Sequence, residues 1–315
     1  MNIPKKTEVT IMKTLKKHFR YYPLYLMILP GFLLILCMRY LPMGGIIIAF
    51  KNINYADGII RSPWCGFANF QFLFKTKDVL IATRNTLLYN LAFIVLGMVV
   101  SIAFAIALCE IRNRFAAKVY QSIFFFPYFL SMVVVAYMVF AFLGMENGLL
   151  NKSIFSFLNI EKIRFYAEPK HWPFILVFVN LWKNVGYSTV IYLAAILGIA
   201  PELYEAAIID GASKWQQIIY ITLPSIKPII IILAIMAIGR IFYADFGLFY
   251  NVPMNSGALF STTQVIDTYV YRAMTKLGDL GMAAAAALYQ SFVGFVLVIT
   301  ANWIIRKIDS DNALF

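Results

Sequence analysis

Glu205, Ala206, Ala207, Asp210 and Gly211, separated by nine residues from Ile221, Leu223 and Pro224, occupy a polar break between two long apolar runs. Their chemistry is docking rather than catalysis. Pro201 can open a helix at its first position, where a missing N–H costs nothing, and Gly211 can end it in the left-handed conformation. Ser213 followed by Gln216 has the spacing of a capping box. Trp215, Ile218, Ile219 and Thr222 then recur on one helical face, until Pro224 is expected to stop the run. Two short helices meeting at a glycine corner make a rigid knob, with Glu205 near its tip able to accept charge-assisted hydrogen bonds from a partner. An ordinary interfacial helix would be served by any acid and any glycine.

A second set of candidates consists of polar and aromatic groups in apolar surroundings. An ionisable side chain within a membrane span costs about 2.5–3.5 kcal/mol on insertion scales, so Lys183, Arg240 and Asp245 are functional suspects. Arg39 and Glu110 fall near the ends of runs, where side chains reach water. Asp245 follows Arg240 by five residues, beyond the spacing of direct helical neighbours, so either a pathway role or a structural pairing with Lys183 or Arg240 suits it. Aromatic faces and planar polar groups bind sugars, and Tyr128, Trp182, Lys183, Asn184, Tyr187, Tyr243, Asp245 and Gln290 are the candidate lining of a substrate pathway.

Several chemistries are excluded. No GxxxxGK[ST] phosphate loop occurs, so ATP has no ordinary site here. Two histidines and few acids assemble no catalytic triad or carboxylate pair. Cys37, Cys65 and Cys109 are scattered and imply neither a disulfide framework nor a metal site.

The elements that must position these groups are membrane spans. The chain has 62% hydrophobic and 13% charged residues, more apolar than a soluble core of 315 residues requires. About 20 apolar residues make one span, and six runs suffice, at roughly 23–50, 86–110, 119–143, 173–198, 229–250 and 282–305. Pro30, Gly31, Pro42 and Gly44-Gly45 are expected to kink or break the first, which reads as a retained span rather than a signal peptide. Pro127-Tyr128 interrupts the third. Gly281, Ala283 to Ala287, Ser291 and Gly294 give the last a small-residue face for close helix approach.

A formal charge of +12 would suggest nucleic acid in a soluble protein, but its placement argues for topology instead. Lys5, Lys6, Lys13, Lys16, Lys17 and Arg20 crowd the N-terminus, Arg112, Arg114 and Lys118 follow the second run, and Arg306-Lys307 follow the sixth. With six spans all of these fall on one side, cytoplasmic by the positive-inside rule, and residues 199–227 share that side. The expected organisation is a cytoplasmic segment 1–22, one transmembrane domain 23–306 and a cytoplasmic tail 307–315. Between the first two runs, Pro63, Trp64, Phe67, Phe70, Phe72 and Phe74 suggest a short interfacial helix. The segments 144–171 and 251–279 read as solvated outer loops.

The 205–224 stretch matches at every fixed position the EAA loop of binding-protein-dependent ABC importers, and the chain resembles their permeases over nearly its whole length. Trp182 to Gly186, the Asp210-Gly211-Ala212 ending, Asp267 to Arg272 and the Ala-Leu-Phe terminus are similar to the carbohydrate branch, of the LplB and MalF type. The resemblance implies an all-α integral membrane fold of six transmembrane helices, the type I (MetI-like) permease fold, with a cytoplasmic coupling helix at the EAA loop. It implies a second homologous permease, two ABC ATPase subunits that carry ATP and Mg, and an extracytoplasmic solute-binding protein. No cofactor is expected in this chain, and its other partners would be carbohydrate and membrane lipid, with no nucleic acid. The large outer domain of the maltose permease has no room here. An importer of amino acids, peptides or ions would use the same loop, and a proton-driven carrier using Asp245 is the reading outside this class.

Overall fold

The computed structural model describes residues 21–71 and 76–308; the basic N-terminal cluster, Phe72, Phe74 and the tail beyond 308 lie outside them. The described residues form helices, joined by turns and one isolated antiparallel bridge between Lys51 and Trp64. Helix α1 spans Tyr22–Phe50; its later turns are π-helical at Leu36–Tyr40 and 3-10 at Leu41–Phe50, where the sequence puts Pro42 and two glycines. Helices α2 (Lys77–Cys109), α3 (Arg114–Phe125), α4 (Met132–Leu143) and α5 (Trp172–Leu197) follow. Next come α6 (Pro201–Ile209), α7 (Lys214–Ile238), α8 (Phe246–Asn251), α9 (Ile266–Leu277) and α10 (Leu280–Ile308).

Five of these helices are long and apolar enough to cross a membrane, and the α3–α4 pair, bent by 100°, makes a sixth. The bend falls where Pro127 was expected to interrupt the third run, in a 3-10 turn at Phe126–Phe129. Helix α2 begins nine residues before the expected 86, because Lys77 to Asn85 are helical although they include Lys77, Asp78 and Arg84. At 33 residues it is about 50 Å long, well beyond a hydrocarbon layer of about 30 Å.

The expected fifth span, 229–250, is not one helix. Helix α7 ends at Ile238, residues 239–245 turn irregularly, and α8 restarts at Phe246. Pro224 does not stop the helix either. A π-helical turn at Ile218–Thr222 precedes it, a local widening of the ladder, and α7 runs through as one 25-residue segment. Of the residues on the expected face, Trp215 and Ile219 are exposed and Thr222 is buried.

The two segments read as solvated loops are folded in. In 251–279, Val252, Leu259, Val265, Ile266 and Thr268 are buried, and polar groups of α2 satisfy the backbone: Asn85 Nδ2 donates to the Gln264 carbonyl at 2.9 Å, Tyr89 Oη to that of Thr262 at 2.9 Å, and Thr86 Oγ1 accepts from Ile266 N at 3.0 Å. In 144–171, the fully buried Asn151 bridges Gly144 and Ile163. In the outer segment, the described residues 51–71 form two short turns, Gly58–Arg61 and Ala68–Phe70. Buried Lys51 donates to the carbonyls of Ile59 and Ile60, and Asn69 to those of Ala49 and Lys51.

The core forms where α2 lies along α5, the most extensive helix pair among the described residues. Tyr89, Val135, Trp172, Leu176, Val179, Leu248 and Phe249 are buried together on its outer-loop side. On α10, Ala285 and Ala286 are fully buried and Gly294 faces the carbonyl of Gly239, as its small-residue stripe requires. Helices α3 and α5 meet even more closely. A Cβ on Gly186 would stand 1.9 Å from the carbonyl oxygen of Phe124, a backbone atom that cannot swing aside. We predict that Gly186→Ala pries α5 from α3 at a cost of about 1–3 kcal/mol, lowering the detergent-solubilised melting temperature and the yield of assembled protein. An unchanged melting temperature would show that this contact does not hold the helices.

Candidate functional site

Two features stand out: a cavity inside the helix bundle, lined by both apolar and polar groups, and an exposed corner between α6 and α7. The cavity has a volume of about 620 Å³ and lies among α2, α5, α7 and the 239–245 break. Its α2 wall is Asn90, Phe93, Ile94, Gly97, Met98 and Ser101, a helical stripe in which small or polar residues and large apolar ones are equal in number. The α5 wall includes Asn180, Asn184, Tyr187 and Ser188, and the break contributes Arg240, Tyr243 and Asp245.

Both helix breaks leave backbone carbonyls without helical partners, and side chains supply them. At the α3–α4 bend, Lys183 Nζ donates to the carbonyls of Pro127, Tyr128 and Leu130. At the fifth span, Asn90 Nδ2 donates to the carbonyls of Ile241 at 2.8 Å and Tyr243 at 3.1 Å. Gln290 Nε2 donates to the Phe242 carbonyl at 2.6 Å and to Asp267 Oδ2 at 3.3 Å. That same Asp267 oxygen accepts from Ala244 N at 2.8 Å. Burial pushes the Asp267 carboxyl above the ordinary carboxylate range, against the pull of the bonds it accepts from Ala244 and Gln290. Three elements thus grip one irregular segment, which turns Arg240, Tyr243 and Asp245 toward the cavity.

Of the eight residues expected to line a pathway, Asn184, Tyr187, Tyr243 and Asp245 border this cavity. Tyr128 stands behind it, stacked on Tyr187 with ring centroids 4.8 Å apart and 14° between planes. Trp182, Lys183 and Gln290 do not border it. Each helical residue turns by about 100°, and the α5 lining positions 180, 181, 184, 185, 187, 188, 191 and 192 leave Trp182 and Lys183 outside their arc. Lys183 is a cap for the α3–α4 bend, and Gln290 is a buried clamp on the 239–245 segment. Asp245 is not inside a helix; its Oδ1 caps α8 by accepting from Leu248 N at 3.1 Å. Among the described residues it forms no ion pair with Lys183 or Arg240. Sequence reasoning did not select Asn90, Asn180 or Ser188; Asn90, Gly97 and Ser101 at helical spacing are the signal that could have found the α2 wall.

The corner has the geometry its sequence specifies. Helix α6 starts with Pro201 and ends in a Schellman motif: Gly211 has φ +76°, its N–H donates to the Ile208 carbonyl at 3.0 Å, and Ala212 N donates to that of Ala207 at 2.8 Å. Ser213 and Gln216 form the reciprocal capping box at the start of α7. Tyr204 Oη and Thr222 Oγ1, 2.9 Å apart, tie the two helices together. An ion pair of 3.1 Å joins Lys214 to Glu110 at the end of α2. Glu205, Ala206, Asp210 and Gly211 are exposed, beside the exposed apolar side chains of Ile208, Ile209, Trp215 and Tyr220. Ala207, Ile221 and Leu223 are half-buried and Pro224 is exposed.

Broken spans around a cavity that holds polar and charged groups, joined to a rigid surface corner, define a membrane transport subunit rather than an enzyme. Residues 94–310 match the family model described as binding-protein-dependent transport system inner membrane component, and the chain belongs to that family. It is similar to the polygalacturonan/rhamnogalacturonan transport system permease protein YteP of Bacillus subtilis, with 35% identity over 92% of this chain and 89% of that one. Protein LplB of the same organism is 34% identical over 92% of this chain and 90% of its own length. Among solved structures, a bacterial alginate ABC transporter in complex with alginate pentasaccharide-bound periplasmic protein superposes with a TM-score of 0.84 and 32% identity, covering 93% of this chain and 97% of that chain. The six-span, all-α permease architecture expected from the sequence is therefore that of the family.

The clamp on the break generates a prediction. Gln290→Leu leaves the buried Phe242 carbonyl without its donor, a loss of about 1–3 kcal/mol. Uptake should fall by more than the amount of assembled protein does. Equal losses of both would assign Gln290 to overall folding rather than to the shape of the cavity wall.

Proposed function

We propose that this chain is the permease subunit of an ABC importer that moves an oligosaccharide across the cytoplasmic membrane, with energy supplied by separate ATPase subunits. The coupling half of the reading rests on one observation, the corner at Gly211. Its Schellman motif and capping box leave little internal freedom, and it presents an acid and a patch of large apolar side chains outward. Exposed apolar surface of this kind marks a protein contact. Glu205, Ala206, Ala207, Asp210 and Gly211 form the docking helix, and Ile221, Leu223 and Pro224 lead from it into α7.

The carbohydrate half is supported by the names of the similar proteins and by the lining of the cavity. Tyr187 offers an exposed ring face, and Asn180, Asn184 and Ser188 supply hydroxyl-matching groups. The importer reading extends to a second homologous permease, two ATPases holding ATP and Mg, and an extracytoplasmic solute-binding protein that delivers the sugar. Binding of ATP closes the ATPases and moves the corner, turning the cavity outward; hydrolysis returns it inward.

On this reading residues 111–118, residues 199–227 and both termini are cytoplasmic. In a cysteine-free background, Ser213→Cys should resist a membrane-impermeant reagent in intact cells and Asn159→Cys should react; the opposite pattern overturns the topology. Glu205→Lys reverses the charge offered to the ATPase, and Gly211→Asp puts a side chain at φ +76°, where glycine is favoured. Each should reduce uptake at least tenfold while the permease remains in the membrane. Full uptake with stoichiometric ATPase co-purification in both variants would remove the coupling role.

A further inference from the structure

We infer that the transported sugar carries carboxylate groups and that Arg240 is the residue that selects for them. The inference rests on the carbohydrate reading above and adds a charge to it. Arg240 and Asp245 are the charged residues lining the cavity, but they are not equivalent. Asp245 is engaged, its Oδ1 accepting the Leu248 N–H at 3.1 Å. The Arg240 guanidinium has no hydrogen bond, ion pair or ring contact with any other described residue. Lys183, the nearby cation of α5, has three backbone carbonyls for its ammonium group and lies outside the lining arc.

The cavity therefore presents one unpartnered guanidinium in a wall that mixes aliphatic side chains with amides, hydroxyls and aromatic rings, its other charge being the Asp245 carboxylate anchored on Leu248 N. Maintaining an arginine within the membrane-spanning bundle is costly, and a neutral sugar, whose hydroxyls pair with amides and tyrosines, gives no return for it. A carboxylate does: the planar guanidinium fork matches its two oxygens in a bidentate pair that an ammonium cannot reproduce. The volume of about 620 Å³ falls within the range of roughly 300–1,000 Å³ that holds a small ligand. Tyr187, backed by Tyr128, can take the ring face of a sugar whose carboxylate reaches Arg240. The fork is aimed by the clamps on its own segment, since Asn90, Gln290 and Asp267 fix residues 241–244 beside it.

The test uses the complete permease–ATPase complex in nanodiscs, without the solute-binding protein, so that selectivity belongs to the membrane subunits. Equilibrium binding is measured for three probes: trigalacturonate, its fully methyl-esterified form and a neutral glucose trisaccharide. The wild type should bind the acid at least tenfold more tightly than the ester or the neutral sugar. Arg240→Gln should bring the acid down to the ester without weakening the ester, and Arg240→Lys should lose part of the preference because the fork is gone. The lysine variant keeps the charge and decides the matter if the glutamine variant does not assemble. Equal binding of acid, ester and neutral sugar by the wild type, or a preference unchanged in either variant, overturns the assignment and leaves the carbohydrate reading intact. Failure of all three sugars to bind overturns the carbohydrate reading itself, and this inference with it.

Discussion

Backbone polar groups inside an apolar layer have to find partners within the protein, and this structure is arranged around two places where a helix cannot provide them. One is the bend between α3 and α4, where Pro127 and the extended Leu130 release carbonyls that Lys183 collects. The other is the irregular segment between α7 and α8, held by Asn90, Gln290 and Asp267. Those partners come from α2, α5, α9 and α10, so each break is also a point where several helices are fastened to each other. The cavity exists because of the second break. A continuous helix through 239–245 would fill that space with its own turns and would carry Arg240, Tyr243 and Asp245 around different faces.

Much of the architecture was legible in the sequence because its causes are local. The Gly211 corner follows from interactions within a few residues: a proline start, a left-handed glycine and a Ser213–Gln216 pair three apart. The break at Pro127 follows from one missing N–H and a crowded ring. Arg240 and Asp245 were recognisable as unusual because charge is rare in such runs. Their setting was not, since nothing in an apolar stretch from 229 to 250 announces that the helix ends at Ile238.

The expected pathway residues that lie off the cavity share a physical reason. Lys183 and Gln290 resemble pathway residues when judged by type and depth, but each is used by backbone that is distant in sequence; Lys183 serves carbonyls 53 to 56 residues earlier, and Gln290 one 48 residues earlier. The segment 251–279 looked solvated for a similar reason. Asn85, Thr86 and Tyr89 are there to satisfy the segment around Gln264, so a stretch that appears solvated by composition is buried by tertiary hydrogen bonds. In this bundle these polar side chains serve remote backbone.

The continuity of α7 past Pro224 has a mechanical consequence. Its 25 residues form a rod of about 37 Å whose lower end is the capping-box corner and whose upper end stops two residues before Arg240. Such a rod is a lever: a tilt of about 5° at the corner sweeps the far tip by about 3 Å over that length. The π-turn at Ile218–Thr222 lies close to the corner, where compliance serves as a fulcrum and absorbs little of the stroke. Motion imposed at the surface would thus be delivered, amplified, to the mouth of the irregular segment, and the guanidinium at its edge would be among the first groups displaced.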